Sequence, residues 1–286
     1  MKDIRLTHFY SWQMIPDNLA QLVLREFADN GAQNIVLTEG WALRLIKEPG
    51  FYNTLKNWLK KFGLSIFECH GLWDHGYDLN TPARPRRKGM IEEHKLAMAY
   101  ASEFGCKTYT VHVGPYFPGM EAPVEEALEQ LIPAAEETGI ILAIENGMDP
   151  GNTPDALLHY LTKFSSPGFG CCFDAGHANV MRPAPGKKQE LYAPYMHKFW
   201  EGSVVQEADP IGKLASHIVT AHLHDNDGYA DAHMLPGTGS VEWEKWIPAL
   251  KQCPRLVSLQ NETSAVGYQV SIKKLCETFD ALVKLS

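Results

Sequence analysis

Ile218-Val219-Thr220 followed by AHLHDNDGYADAHMLPGTG, residues 221–239, is the stretch on which the reading of this chain turns. Three β-rich residues lead into alternating Ala221, His222, Leu223 and His224, then into Asp, Asn and Gly. That pattern predicts a strand leaving a buried core and opening into a loop. The stretch carries His222, His224, Asp225, Asp227, Asp231 and His233. Imidazoles and carboxylates crowded this way suit Zn, Mn, Fe or Co, because each offers a lone pair and tolerates a nearby cation. A polar surface loop with incidental histidines is the competing reading, and the two separate on whether distant parts of the chain deliver matching ligands.

Working outward, strand-like runs recur from end to end: Ile4 to Tyr10, Asn34 to Glu39, Ser65 to His70, Thr108 to Val113, Ile140 to Glu145, Gly170 to Asp174, Ile218 to His224 and Leu256 to Glu262. Between them lie amphipathic stretches. In Asp17 to Asn30, Asp17 is positioned to cap and Leu19, Leu22, Val23 and Phe27 share a face; in Pro123 to Glu137, Val124, Leu128, Leu131 and Ala135 do. A last helix is expected at about Gly267 to Leu285.

Eight β-α units without a linker or composition break predict one α/β domain over residues 1–286, a single (β/α)8 TIM barrel. Strands this short and apolar need cover on both faces. A doubly wound open sheet is the rival, but no Gly-x-Gly-x-x-Gly opens the first unit, and no nucleotide cofactor is expected. The segment from about 178 to 209, rich in Pro and aromatics, is too long for a plain connection; it reads as a lid or as a decoration packed on the rim.

A net charge of −8, with Lys and Arg dispersed apart from Arg84, Arg86, Arg87 and Lys88, supplies no basic face and disfavours nucleic acid as partner. Those four residues read as a solvated helix start. The opening MKDIRLTHFY lacks an apolar run of signal-peptide length and no later segment could span a membrane, so a cytoplasmic protein is the expectation. The 6 cysteines, at 69, 106, 171, 172, 253 and 276, include no C-x-x-C pair and read as reduced, buried apolar residues.

In a barrel of this kind the active site lies where strands end, and side chains alternate between interior and helix layer. Parity then points Thr220, His222 and His224 inward, with Val219, Ala221 and Leu223 outward. The other strands send in Ile141, Ala143 and Glu145; Ser258, Gln260 and Glu262; Cys172 and Asp174; Thr108, Thr110 and His112; and Ile66, Glu68 and His70. Each of these strands thus ends on a potential ligand. Of 12 histidines, His8, His70, His112, His177, His222 and His224 fall at or just past strand ends, with His75 and His233 in loops on the same rim. This concentration, joined by Glu145, Asp174 and Glu262, favours a metal site.

The runs Ile144-Glu145-Asn146, Phe173-Asp174-Ala175-Gly176-His177, His222-Leu223-His224-Asp225 and Gln260-Asn261-Glu262 resemble the xylose isomerase-like barrel superfamily. In its sugar epimerases, such as the tagatose 3-epimerase group, one divalent ion is held by Glu, Asp, His and Glu. The resemblance implies Glu145, Asp174, His222 and Glu262 in those places, with His177 on a substrate oxygen. His70, His112 and His224 are further candidates to touch substrate. The endonuclease IV branch is also similar, through Asp231-Ala232-His233 and Gly237-Thr238-Gly239. On that pattern His70, His112, His177, Asp231 and His233 would hold additional ions. The chain departs from the epimerases in lacking an arginine at 225–228, and from the nucleases in lacking recognisable DNA-reading loops.

For a hydroxycarbonyl sugar, a divalent cation (Mn, Zn, Mg or Co) would stabilise the enediolate charge, with Glu145 and Glu262 removing and returning the proton. Trp12, Trp41, Trp73, Tyr116 and Phe117 are candidate apolar walls for sugar rings. The expectation is a metal-dependent isomerase or epimerase of a small carbohydrate. The alternatives are a multi-zinc phosphoesterase of the abasic-site type and a non-catalytic sugar- or metal-binding barrel. Family analogy implies a homo-oligomer.

Overall fold

The computed structural model describes residues 3–74, 76–180 and 207–286. His75 and most of the expected lid lie outside the described residues. Eight parallel strands close into a barrel in chain order: β1 (Arg5–His8), β2 (Asn34–Leu37), β3 (Ser65–His70), β4 (Thr108–Val111), β5 (Ile141–Glu145), β6 (Phe169–Asp174), β7 (Ile218–Leu223) and β8 (Ser258–Asn261). The ring is shut by β8 against β1, with Arg5 beside Ser258 and His8 beside Asn261. Closure leaves no open sheet edge and sends every strand's C-terminal end to one rim.

The helices form the outer layer because each carries one apolar stripe. Glu121–Thr138 buries Val124, Leu128, Leu131 and Ala135 as their spacing predicts. On Asp17–Asp29 the inward stripe is Ala20, Val23, Leu24 and Phe27; Leu19 and Leu22 are exposed, which corrects the face read from leucines alone. Asp17 is not the cap either, for Pro16 holds that place and the Asp17 carboxylate takes Arg44 bidentately at 2.6 and 2.9 Å. The basic run opens the helix Arg84–Glu103, yet Arg87 is buried and spent on Glu126 and the Thr81 and Pro82 carbonyls, and Arg86 pairs with Glu93. Arg84 and Lys88 remain exposed, as a solvated helix start requires, while Arg86 and Arg87 are tied into the structure.

The barrel interior is polar at its centre. Glu68, two residues below His70, accepts hydrogen bonds from the hydroxyls of Thr7, Thr108, Thr220 and Ser258, four different strands. Without those donors a carboxylate could not be buried there. Deeper in, Ile141, Ala143, Cys172 and Val219 pack together. Val219 was expected in the helix layer; the register slips between Cys171 and Cys172, inserting Val219 as an extra residue that turns inward and leaves Thr220 opposite Cys172. All six cysteines are buried and free. No helix among the described residues is long and apolar enough to cross a membrane.

Candidate metal centre

The rim collects ligands from six strands or the loops that follow them. His222 on β7 is the hub: its Nδ1 lies 3.0 Å from Glu262 Oε2, 3.2 Å from Glu145 Oε2 and 4.0 Å from Asp174 Oδ2. Glu262 reaches His70 at 3.5 Å, and Glu145 reaches His112 at 3.6 Å and His177 at 3.3 Å. Atoms bound about 2.1 Å from one cation in a tetrahedral shell stand about 3.4 Å apart. The contacts of Glu145 and Glu262 with His222, His112 and His70, at 3.0, 3.2, 3.5 and 3.6 Å, lie near that value, whereas His177 meets Glu145 through the Nδ1 that serves the Asn146 carbonyl. Asp174, His222 and Glu262 can each offer one ligand atom to a common point, as can His70, Glu145 and His222.

Two further observations fit a cation. Nε2 of His112, Oε2 of Glu145, Nδ1 of His222 and Oε2 of Glu262 are buried without a hydrogen-bond partner among the described residues, so their lone pairs converge rather than pair. The imidazoles are also oriented from behind. His177 Nδ1 donates to the Asn146 carbonyl at 2.8 Å, His233 Nδ1 to the Glu262 carbonyl at 2.9 Å, and His70 Nδ1 stands 3.3 Å from the Gly71 carbonyl. Each leaves Nε2 aimed into the cup, and a backbone acceptor behind a ligating imidazole fixes its tautomer in this way. Nε2 of His177 and of His233 lie 3.3 and 3.2 Å from Asp231 Oδ2, forming a second cluster beside the first.

Local structure explains how these side chains arrive. Asp225, just past β7, accepts four N–H groups: Asn226 and Val241 on Oδ1, Gly237 and the Trp243 indole on Oδ2. It thereby folds residues 226–241 back over the rim and delivers Asp231 and His233. Gly239 is required by that return, since a Cβ there would meet the Asn226 carbonyl at 2.2 Å. Gly176 in the Asp-Ala-Gly-His run is required because a Cβ would lie 1.8 Å from His224 Cε1.

His224 itself was expected to touch substrate. It is fully buried, with Nε2 3.1 Å from both Asp174 oxygens and its ring stacked at 3.8 Å on His233. The register placing His222 in the cup sends His224 behind Asp174, where it can orient that carboxylate. His8 faces outward against Phe27 and Phe279 and takes no part in the site. Trp12 and Trp41 stack on one another at 4.4 Å as buried core and wall nothing. Trp73, 41% exposed, does stand at the cup.

The charges within the cup interlock. Burial raises the Glu145 carboxyl, but His222 and His112 outweigh it and hold it well below the usual range. Burial depresses His177, but Asp174 and Asp231 override it and hold it well above its ordinary value; Asp231 likewise overrides burial to bring His233 to about 10. The protons on these imidazoles occupy positions a divalent cation would take, so binding one releases protons.

Two cavities open here, of about 270 and 250 Å³, and they share Trp73, His112, Glu145 and His177. The cup is completed by Phe9, Ser11 and Ser264, which the sequence reading missed. Phe9 was within reach, since it has the parity of the inward Thr7, not of His8. The second lobe is lined by Asp74, Asp78, Asn146, Asp149 and Asn152, residues of loops whose placement no strand period announces. Neither lining contains Lys or Arg among the described residues.

A closed barrel with a histidine- and carboxylate-lined cup at its strand ends defines the class: a TIM barrel whose rim carries a donor set suited to divalent metal. The sequence profile of the xylose isomerase-like TIM barrel family matches residues 24–256, and the chain belongs to that family. An uncharacterized protein of Methanocaldococcus jannaschii is 26% identical over 201 residues, covering 65% of this chain and 61% of its own length. Among solved structures, a D-tagatose 3-epimerase-like protein superposes with a TM-score of 0.71 at 19% identity, covering 98% of each chain. The D-psicose 3-epimerase of Clostridium cellulolyticum, solved with D-tagatose, gives 0.70 at 12% identity over 99% of each. A Thermus thermophilus protein soaked with zinc chloride gives 0.66 at 22% identity over 99% of each.

Proposed function

We propose that this chain is a divalent-metal-dependent sugar isomerase or epimerase. The observation that carries the reading is the pair Glu145 and Glu262, which arrive from β5 and the end of β8, three strands apart on the ring, and meet at one imidazole nitrogen 3.2 and 3.0 Å away. Two structural neighbours, a D-tagatose 3-epimerase-like protein and a D-psicose 3-epimerase, support it. When bound, a divalent cation supplies a Lewis acid that polarises a hydroxycarbonyl and stabilises the charge left after loss of the adjacent C–H proton.

The chain's own groups do the rest. Both carboxylates lie below the usual carboxylate range, burial opposing and the neighbouring imidazoles prevailing, so each is ionised; this weakens them as bases, and catalysis requires that the one acting as base be only loosely held. One removes the proton from the carbon beside the carbonyl. The other, once protonated from solvent water, delivers that proton to the opposite face for epimerisation or to the next carbon for isomerisation, and the first releases its proton to water. His177 is set to hold a substrate oxygen, and Phe9 and Trp73 exclude water at the mouth. The test is solvent-deuterium exchange into keto- and aldo-sugars. Glu145→Gln and Glu262→Gln should each abolish exchange while at least one keeps the wild-type circular dichroism; near-normal exchange in both would refute the acid-base assignment.

One observation favours a second reading, a multi-zinc phosphoesterase. Asp231 with His177 and His233, His70 with Glu262, and His112 with Glu145 furnish donors for more than one cation. Metal content per chain discriminates: a single Mn, Mg or Co supports the isomerase, whereas two or three Zn with phosphodiester turnover supports the hydrolase.

A further inference from the structure

A second lobe opens beside the cup. Cup and lobe are continuous through Trp73, His112, Glu145 and His177, and each is comparable to one sugar ring with its hydroxyls. Trp73 stands between them. Its ring lies 5.7 Å from that of His112 and 6.4 Å from that of His70, so a half-exposed aromatic is packed against two imidazoles rather than left to swing. A pinned, partly exposed indole offers a flat apolar face of the kind that stacks on the C–H face of a sugar ring.

The remaining lining is polar and lacks positive charge. Asp78 accepts the Asp74 N–H at 3.2 Å, and Asp74 is held at a left-handed φ of 69°, which aspartate tolerates better than most residues. Asp149 is anchored by the Tyr116 and Gly151 N–H groups and by Asn152. Carboxylates and amides accept from hydroxyl groups, whereas a phosphate placed here would face Asp74 and Asp78 with no Lys or Arg in the described lining.

We propose that this lobe is a second sugar subsite. The substrate is then an uncharged two-unit saccharide: the reacting unit, with its free hydroxycarbonyl, lies over Glu145 and Glu262, and the second unit lies on Trp73 between Asp78 and Asn152. The inference rests on the isomerase reading for what occupies the cup, but the lobe is tested separately by binding.

The experiment uses full-length protein loaded with Mn, and calorimetric titration with three classes of probe: reducing disaccharides (maltose, cellobiose, lactose), free hexoses and hexuloses, and hexose 6-phosphates. Exchange in D2O is followed on the same probes. Disaccharides should bind most tightly. Trp73→Ala, which removes the platform, and Met148→Trp, which fills the lobe, should each weaken the disaccharides about tenfold more than the free hexoses. Tighter binding of free sugars or of phosphates, or equal weakening of all classes by both variants, would overturn the subsite and leave the isomerase reading standing. Disaccharide binding that the variants abolish, with no exchange on any sugar, would keep the subsite and sink the isomerase reading. No binding of any class would overturn both.

Discussion

Asp225 lies outside the cup and touches no substrate position, yet the second ligand cluster depends on it. Replacing it with asparagine keeps the size and removes one acceptor oxygen. Each oxygen accepts two N–H groups: Oδ1 from Asn226 and Val241 at 2.9 and 3.1 Å, Oδ2 from Gly237 and the Trp243 indole at 2.8 and 3.0 Å. Turned one way, the new NH2 confronts the buried Asn226 and Val241 N–H groups; turned the other, it confronts the buried Trp243 indole and the exposed Gly237, so at least one buried donor loses its acceptor. In the less costly orientation the one stranded buried donor, the Trp243 indole, costs about 1–3 kcal/mol. For a chain of this length that corresponds to a fall in melting temperature of at least about 2 °C. Amide exchange should accelerate at Gly237 and Val241, and affinity for added zinc should drop, because residues 226–241 no longer return Asp231 and His233 to the rim. An Asp225→Asn protein that melts within about 1 °C of wild type with unchanged exchange at 237–241 would refute the argument that this carboxylate organises the loop.

Two further outcomes follow from buried residues away from the reacting atoms. Gly176→Ala would drive a methyl group to 1.8 Å from His224 Cε1 and should destabilise by at least about 1–3 kcal/mol, whereas Gly176→Ala with His224→Ala should recover part of that loss; a stable single variant, read by urea denaturation, would exclude the close-approach explanation. Burial pushes His8 down from 6.5 to about 4, so between those pH values the unfolded chain binds a proton that the folded chain does not, and stability falls as pH drops through this window. The loss from His8 is about 2 kcal/mol at pH 5. His8→Phe should therefore lose less stability between pH 7.5 and pH 5 than wild type, and an identical loss in both would refute the assignment.

How far the sequence could be read follows from which interactions are periodic. All eight strands are legible within a few residues, because a run such as Ile141–Glu145 must be apolar where it meets helices and must alternate where it meets the barrel interior. The stripe on Glu121–Thr138 is legible for the same reason, while Leu19 and Leu22 mislead because helix rotation is set by what the helix packs against, not by its largest residues.

The chain alone therefore determined the closed (β/α)8 architecture and the chemical types gathered at the strand ends, for both are written in local period and spacing. Only the tertiary structure decided that Val219 turns inward at a bulge, that His224 backs Asp174 instead of lining the cup, that Trp12 and Trp41 are core while Trp73 is a wall, and that Glu68 is buried among four hydroxyls. Those outcomes depend on register between strands and on loops such as 226–241, where contacts join residues far apart in sequence and leave no repeating signal along the chain.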